Sequence, residues 1–524
     1  MTTDSTLRRL ASGVLWPGFI GTRVPPWLAA ALKEGLAGVV YFGHNISADT
    51  TALSEQIHQL NPHALIGIDE EGGSVTRLEA ASGSTLPGHA QLGMVNSLHA
   101  TEKVGYELAR RCATEGIDIV IAPVADVNTN AANPVIGVRS FGSDTATVAA
   151  HTAAMITGIQ RGGLSACAKH FPGHGDTAVD SHHGMPTITA STDEVCSIHL
   201  PPFVAAINAH VDAIMTAHIR IPEWGDEPAT LNPTILARLR DAHFTGVIVT
   251  DAIDMAAIRD TRGLGEGAVQ ALAAGVDLVC IGNPTNPGAA ARPDQDEHDY
   301  REALDAVVDA LATGRLSTER IEQAHARVAA LAAQAAQRRS AASGNHPPLD
   351  TAELHRIAQA SVRIHGTPWT HPDQPVPVLD IRRHSTLAVD STSNHVARAL
   401  AAGGPISRVH PDVQKNGTLR DELSELLSAD TSVDPAPAAG PVVVVVDRFE
   451  LGSPQRELVR AFAREHDDLT VVNVGPYCTD ASGTLGSDGP NGRPATALIE
   501  VGAASALAAQ VAREYFVSGR QEPA

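Results

Sequence analysis

A (β/α)8 TIM-like barrel followed by a smaller C-terminal αβα sandwich domain is the α/β fold class this sequence predicts, and three observations predict it. As far as residue 340, short apolar runs alternate with amphipathic, alanine-rich stretches, the pattern of parallel strands buried on both faces between helices. There are eight such runs, the strand number of a closed barrel. Six of the runs end in residues able to serve a site, and barrel active sites gather at the carboxyl ends of strands. A doubly wound open sheet is the competing architecture, but it does not normally use so many strand ends at once.

The runs cover residues 14–19, 38–42, 64–68, 117–123, 164–168, 213–217, 246–250 and 276–281. Helical segments such as 202–209 and 231–243 lie between them. The third run ends in Asp69-Glu70-Glu71, the fourth leads to Asp126, and the fifth ends in Lys169-His170. The sixth, seventh and eighth end in His218, Asp251 and Asn283. An alanine- and arginine-rich helix over 321–339 closes the barrel at 1–340. Residues 341–372 read as a linker, marked by Asn345-His346-Pro347-Pro348, and a helix near 352–362. In 373–524 the strands are 376–380, 442–447 and 469–474, with helices near 394–402, 454–465 and 496–515 and a Pro/Ala-rich loop over 430–440. No glycine-rich phosphate loop is present, Gly403-Gly404-Pro405 being too weak a signal, and no repeat of fixed period is visible.

With 524 residues, 43% hydrophobic and 19% charged, the chain is globular and long enough for two or three domains. A formal net charge of −21 argues against nucleic acid and anionic membranes and leaves a neutral small molecule open. Five scattered cysteines without a CxxC pair point to free thiols in a reducing compartment. The apolar stretch after Arg8-Arg9 is interrupted by Trp16-Pro17-Gly18 and lacks a small-residue cleavage site, so it reads as a first strand rather than a signal peptide. No run approaches the ~20 apolar residues of a membrane span. The expectation is a soluble, cytoplasmic protein.

The densest chemistry lies after the fifth run, in Lys169-His170-Phe171-Pro172-Gly173-His174-Gly175-Asp176 and on through Asp180-Ser181-His182-His183-Gly184. Four histidines, a lysine and two aspartates share a loop whose glycines and Pro172 fix a particular backbone path. A solvated histidine-rich loop is the bland alternative. Asp251, at a strand end facing the barrel mouth, can attack an electrophilic carbon or stabilise a cation. It can equally cap the next helix, and Asp254 competes for either role. Asp180 and His182, two apart in an extended loop, point the same way, so the carboxylate can fix the imidazole's tautomer; His183 points to the opposite side. A histidine with its ordinary pKa near 6.5 both donates and accepts a proton at neutral pH. Asp69, Arg77, Arg139, Lys169 and His170 supply donors and acceptors suited to sugar hydroxyls, or ion pairs at the barrel rim.

The segments IDEEGGSVTRL, NPVIGVRSFG, KHFPGHGDTAVDSHHGMP, AHIRIP and VTDAIDM resemble those of glycoside hydrolase family 3, within its bacterial β-N-acetylglucosaminidase-like subgroup. The similarity spans the whole first domain. It implies an exo-acting enzyme that retains anomeric configuration by double displacement. Asp251 matches the nucleophile and His182 with Asp180 the subgroup's acid/base dyad. Asp69, Arg77, Arg139, Lys169 and His170 match positions that hold the non-reducing sugar, and His218, in AHIRIP, joins them as a substrate contact. The second domain resembles the αβα sandwich of longer members. The subgroup more often has Gln at position 70 and Arg at 74, where this chain has Glu70 and Ser74, which loosens the choice between N-acetylglucosamine and glucose.

A usual retaining glycosidase pairs two carboxylates. Where the second is a histidine, an approaching phosphate escapes a repulsion of about 4 kcal/mol per unit charge pair at ~4 Å and an effective dielectric of about 20. Some relatives with this dyad are phosphorylases. The expectation therefore leans to phosphate over water as glycosyl acceptor, with a carbohydrate as substrate and no cofactor beyond that co-substrate. A metal-dependent hydrolase using His170, His174, Asp176, Asp180, His182 and His183 is an alternative, opposed by Lys169, which would repel the cation. A non-catalytic sugar-binding barrel would require loss of Asp251 or His182, and both are present.

Overall fold

The computed structural model describes residues 4–179, 184–286, 292–341, 348–366, 376–382, 395–404, 406–408, 442–463, 469–478 and 496–518. The chain forms two compact units. The first comprises Met1–Glu71, Val75–Ala80 and Asn96–Asp350, the second Gly72–Ser74, Ala81–Val95 and Thr351–Ala524.

In the first unit each expected run marks one strand, though β5 extends three residues past its expected end, taking in Lys169, His170 and Phe171, and β8 one: β1 (Leu15–Pro17), β2 (Gly38–Tyr41), β3 (Leu65–Ile68), β4 (Ile119–Val120), β5 (Ser165–Phe171), β6 (Ala213–Thr216), β7 (Val247–Val249) and β8 (Val279–Gly282). Strands β2 to β7 pair in sequence order and in parallel. A parallel bridge between Val249 and Leu278 joins β7 to β8, and β8 pairs with β1. Where β1 and β2 begin, Ala37 N donates to Ser12 O. The result is an α/β barrel of the TIM type.

Alternate strand residues fill the interior: Trp16, Val40, Leu65, Ile119, Cys167, Met215, Val249 and Cys280 belong to one buried cluster. The Trp16 indole, fully buried, donates to Leu65 O at 2.8 Å. Burying a ring of this size contributes on the order of 5 kcal/mol before ordering costs. Gly67 is what makes room for it, since a Cβ there would lie 2.1 Å from the Trp16 ring.

The helix Thr318–Ala341 closes the opposite end of this interior from the site. Its Val328, Leu331, Ala332 and Ala335, one face at helical spacing, join the same cluster. Its arginines reach the amino ends of the strands. Arg320 and Arg327 bind the fully buried Asp277 at 2.7 and 3.1 Å, and Arg338 binds Asp212 at 2.7 Å. Arg339 pairs with Asp118.

The second unit holds β9 (Arg363–His365), β10 (Val378–Asp380), β11 (Ile406–Arg408), β12 (Val442–Val446), β13 (Leu469–Asn473) and β14 (Thr496–Glu500). Their order is β11-β10-β12-β13-β14-β9, parallel except for β9, which runs antiparallel at the edge. Two expectations are corrected. Within the expected linker 341–372, the described residues 351–366 fall in the second unit and carry, besides the helix Thr351–Ala360, the edge strand β9 of its sheet. The helix expected over 496–515 is strand β14 followed by the helix Ala506–Ser518. Gly502, at φ +60°, lies in the connection between them and marks where the extended backbone ends. The 430–440 loop lies outside the described residues.

The loop after β3 leaves the first unit twice. Within the second unit Ser74 Oγ accepts from Ala504 N at 2.9 Å, and Leu507 N donates to Ser84 O at 3.2 Å. Ser74, where the family resemblance led one to expect arginine, is thus tied to the second unit's own backbone.

Candidate active site

The fifth strand is the barrel's longest, seven residues and buried throughout, and it delivers Lys169 and His170 to the barrel mouth. Lys169 is 2% exposed, a costly place for an ammonium without anionic partners. They are provided: Nζ lies 2.5 Å from Asp69 Oδ1 and 2.7 Å from Glu71 Oε1. Arg139, also buried, forks onto the same Glu71 with Nε at 3.0 Å and Nη2 at 2.8 Å. Two cations and two carboxylates thus form a neutral quartet. Burial alone would pull Lys169 down, but Asp69 and Glu71 outweigh it and hold the ammonium above its ordinary value. Arg139 is raised in the same way by Glu71. Arg77 Nη2 sits 3.9 Å from Asp69 Oδ2. Asp69 and Arg77 keep about a fifth of their side-chain surface open, at 24% and 19%, so this end of the network is the one a ligand can reach.

Asp126, fully buried after β4, organises the next layer. Its Oδ2 lies 2.7 Å from His170 Nδ1, and its Oδ1 accepts from the backbone N–H groups of His170 at 3.2 Å and His174 at 2.7 Å. Burial pushes this carboxyl up, yet His170 and the hydrogen bonds outweigh it and hold it below the usual range. With Nδ1–H donating to Asp126, His170 Nε2 accepts from Arg139 Nη2 at 3.3 Å. His174 Nδ1 meets Thr177 Oγ1 at 2.8 Å, and that hydroxyl donates to His174 O at 3.1 Å. Burial pushes His174 down to about 4, so it is neutral at ordinary pH.

Asp251 follows β7, half-buried, its N–H donating to Thr216 O at 3.2 Å and its Oδ1 accepting from Ala252 N at 2.8 Å. Asp254 has a different task. It is 2% exposed, and its Oδ2 accepts from Asn283 N at 3.0 Å and Asn286 Nδ2 at 3.1 Å, bracing the loop after β8. Of the two aspartates, Asp251 is the one with accessible surface. Below lie two interior thiols. Burial pushes Cys167 up to about 12, with Lys169, Asp69 and Asp251 all close enough to act on it. Cys280 is raised by burial and by Asp251, Asp254 and Asp69.

The structure therefore brings Asp69, Arg77, Arg139, Lys169 and His170 into one network, with Asp251 over the same floor. His218, expected as a substrate contact, is placed differently from these five. It is fully buried, with Nδ1 at 2.9 Å from Thr230 Oγ1 and Nε2 at 2.9 Å from Ala252 O, so it braces the segment that carries Asp251. Asp180, His182 and His183 lie outside the described residues. Two residues were not singled out from the sequence as site residues: Glu71, which holds both Lys169 and Arg139, and Asp126, which fixes His170. Their strand-end positions were the available signal. The metal alternative loses a ligand, because both ring nitrogens of His170 are engaged by Asp126 and Arg139. Glu70 turns away from Lys169: its Oε2 accepts from Arg77 N at 2.8 Å and Leu78 N at 3.1 Å.

Residues 28–331 match the family profile described as the glycosyl hydrolase family 3 N terminal domain. Beta-hexosaminidase A of Pseudoalteromonas piscicida is 31% identical over 338 residues, 59% of this chain and 55% of that protein. The chain thus matches little more than half of that relative's length. A beta-hexosaminidase of Hydrogenovibrio crunogenus is 35% identical over 261 residues, 47% of this chain and 72% of its own. Among solved structures, a family 3 beta-N-acetylglucosaminidase from Paenibacillus sp. str. FPU-7 superposes with a TM-score of 0.78 at 29% identity, covering 98% of this chain and 97% of that one. A beta-glucoside phosphorylase, BglX, shares the fold at a TM-score of 0.68 and 17% identity, over 98% and 92% of the two chains. No described helix is long and apolar enough to cross a membrane. From the profile match over most of the barrel, and from the barrel itself, the chain belongs to glycosyl hydrolase family 3.

Proposed function

We propose that this enzyme removes a terminal β-N-acetylglucosaminyl residue from a β-glycoside by double displacement, with Asp251 as nucleophile and His182, oriented by Asp180, as acid/base. The observation that carries the reading is the neutral quartet of Lys169, Arg139, Asp69 and Glu71, with Arg77 beside it, set over the same floor as Asp251. Buried, pre-oriented donors and acceptors of this kind suit the hydroxyls of one neutral pyranose and cost no rearrangement on binding. Asp69 and Arg77, the exposed end, would hold the sugar, while Glu71 and Asp126 orient Lys169, Arg139 and His170. The beta-hexosaminidase relatives, 31% and 35% identical, support N-acetylglucosamine over glucose as glycone. The free state of all five cysteines supports a reducing, cytoplasmic setting.

In the first step Asp251 would attack the anomeric carbon while His182 protonates the departing glycosidic oxygen. In the second, His182 would take a proton from the acceptor as the acceptor displaces Asp251. Two inversions return the β configuration. The acceptor is water or inorganic phosphate; a neutral imidazole in place of a second carboxylate favours admitting the anion. No cofactor or metal enters either step.

Turnover of an aryl β-N-acetylglucosaminide and an aryl β-glucoside, each with and without phosphate, tests glycone and acceptor together. Asp251→Asn should lower kcat by at least about 10³-fold while sugar binding remains detectable. A variant that keeps the full rate removes Asp251 from the mechanism. Unchanged kinetics and no glycosyl phosphate on adding phosphate leave water as the acceptor.

A further inference from the structure

Glu70 is the charged residue of the β3 segment that the site network leaves unused. It is 3% exposed, and its partners are the chain segment that carries Arg77. One oxygen, Oε2, accepts from both Arg77 N and Leu78 N, at 2.8 and 3.1 Å. Thr76 adds a side-chain hydrogen bond, and Thr76 Oγ1 in turn accepts from Glu79 N at 3.0 Å. Residues 76–79 are thus wrapped around one carboxylate. Arg77, in the middle of that wrap, points its guanidinium toward Asp69 Oδ2 at 3.9 Å.

We propose that Glu70 is a positioning residue for Arg77: its ionised carboxylate clamps the 76–78 backbone, and protonation loosens that clamp and weakens the hold on the sugar. This rests on the reading of Asp69 and Arg77 as the sugar-holding end of the site. The groups around Glu70 support a change of state at accessible pH. From its own loop it faces Glu79, a like charge, and from the helix Leu98–Thr114 it faces Cys112. Arg111 of that helix is engaged by Glu79 at 3.2 Å and Glu107 at 2.9 Å. The neighbours Asp69 and Glu71 are held by Lys169 and Arg139. No cation is therefore left over for Glu70 among these partners. Burial pushes its carboxyl up to about 7, against the pull of the Thr76, Leu78 and Arg77 hydrogen bonds.

Two readouts test this in the full-length enzyme. Hydrogen exchange at the Arg77 and Leu78 amides, corrected for intrinsic exchange, should lose about fivefold in protection between pH 8 and pH 6, the difference between bonds to a charged and a neutral acceptor. Glu70→Gln keeps an oxygen acceptor without a titrating proton, so its protection should not change with pH. KM for an aryl β-N-acetylglucosaminide should rise by a similar factor in the wild type as pH falls, with the effect on KM rather than kcat, and stay flat in Glu70→Gln. Glu70→Asp, one methylene short of both amides, should have a raised KM at both pH values, and Arg77→Ala should have a raised KM without the step. An unchanged pH step in Glu70→Gln, or a step that survives in Arg77→Ala, overturns the proposal. Should the aryl glycoside not be turned over, the glycosidase reading fails, while the amide exchange still decides whether the clamp exists.

Discussion

Replacing Glu71 by Gln removes one negative charge from the point where two buried cations meet. The carboxylate is 1% exposed and lies 2.7 Å from Lys169 Nζ and 2.8 Å from Arg139 Nη2. At an effective dielectric of about 20, the gross attraction at such a distance is about 6 kcal/mol per pair. Much of that is offset because the carboxylate no longer has to be desolvated. What remains is the penalty of leaving buried charge uncompensated, about 3–5 kcal/mol when one partner of a buried pair is lost. The change also moves Lys169. Burial draws its ammonium down and Asp69 and Glu71 draw it up; with Glu71 neutral, Asp69 acts alone and the ammonium titrates at lower pH than in the wild type. A lysine raised in the folded state gives stability that is complete below its unfolded value and lost as pH rises through the folded one. The wild type should therefore show no Lys169-linked loss near pH 9, and Glu71→Gln should be less stable than the wild type at pH 7 without losing further stability between pH 7 and pH 9 on account of Lys169. Urea unfolding at the two pH values, with KM for the aryl glycoside, measures both effects. A variant within about 0.5 kcal/mol of wild type at both pH values, with unchanged KM, would refute the view that Glu71 holds the quartet.

Three further outcomes follow from the barrel. Gly67→Ala places a methyl 2.1 Å from the Trp16 ring and should destabilise by about 1–3 kcal/mol or more in thermal unfolding; a neutral result would mean the indole does not fill the interior. Asp277→Asn, which weakens the hold on Arg240, Arg320 and Arg327, should cost about 3–5 kcal/mol in urea unfolding with KM little changed, since Asp277 sits at the opposite end of β8 from the site. In native protein, Cys196 should be alkylated first. Cys167 and Cys280 should resist reagent until unfolding, because burial raises both thiols and hides them. Labelling at Cys167 or Cys280 under native conditions would contradict the closed floor.

The barrel was legible because its strands are buried on both faces, so runs such as residues 246–250 stand out as short β-branched stretches, here ended by Asp251. The second domain was less so. Strands β9 and β11 are three residues each and carry no periodicity, and β14 runs into the alanine-rich stretch 503–512, which masks its boundary with the following helix. The same contrast holds in the site. Lys169, His170 and Asp69 were identified by residue type at strand ends, and Arg139 by the NPVIGVRSFG segment that carries the family resemblance. Glu71 and Asp126 act through partners 68 and 98 positions away in one case and 44 in the other, visible only once the strands are placed side by side. His218 shows the same limit from the other side. Its strand-end position suggested a ligand contact, but Thr230 and Ala252 already occupy its nitrogens.

The excursion after β3 has a consequence for how the polypeptide assembles. Segments Gly72–Ser74 and Ala81–Val95 belong to a unit whose remaining residues begin at Thr351, so about 255 intervening positions are translated before that unit can be completed. Cutting the gene at codon 350 would not yield two autonomous pieces: the upstream product would carry Leu86, Gln91 and Leu92 without the neighbours that bury them, and the downstream product would lack the strip that Leu507 and Ala504 bond to. Coexpressed halves should need each other for solubility, whereas a circular permutant opened elsewhere, with both strips kept in one chain, should not.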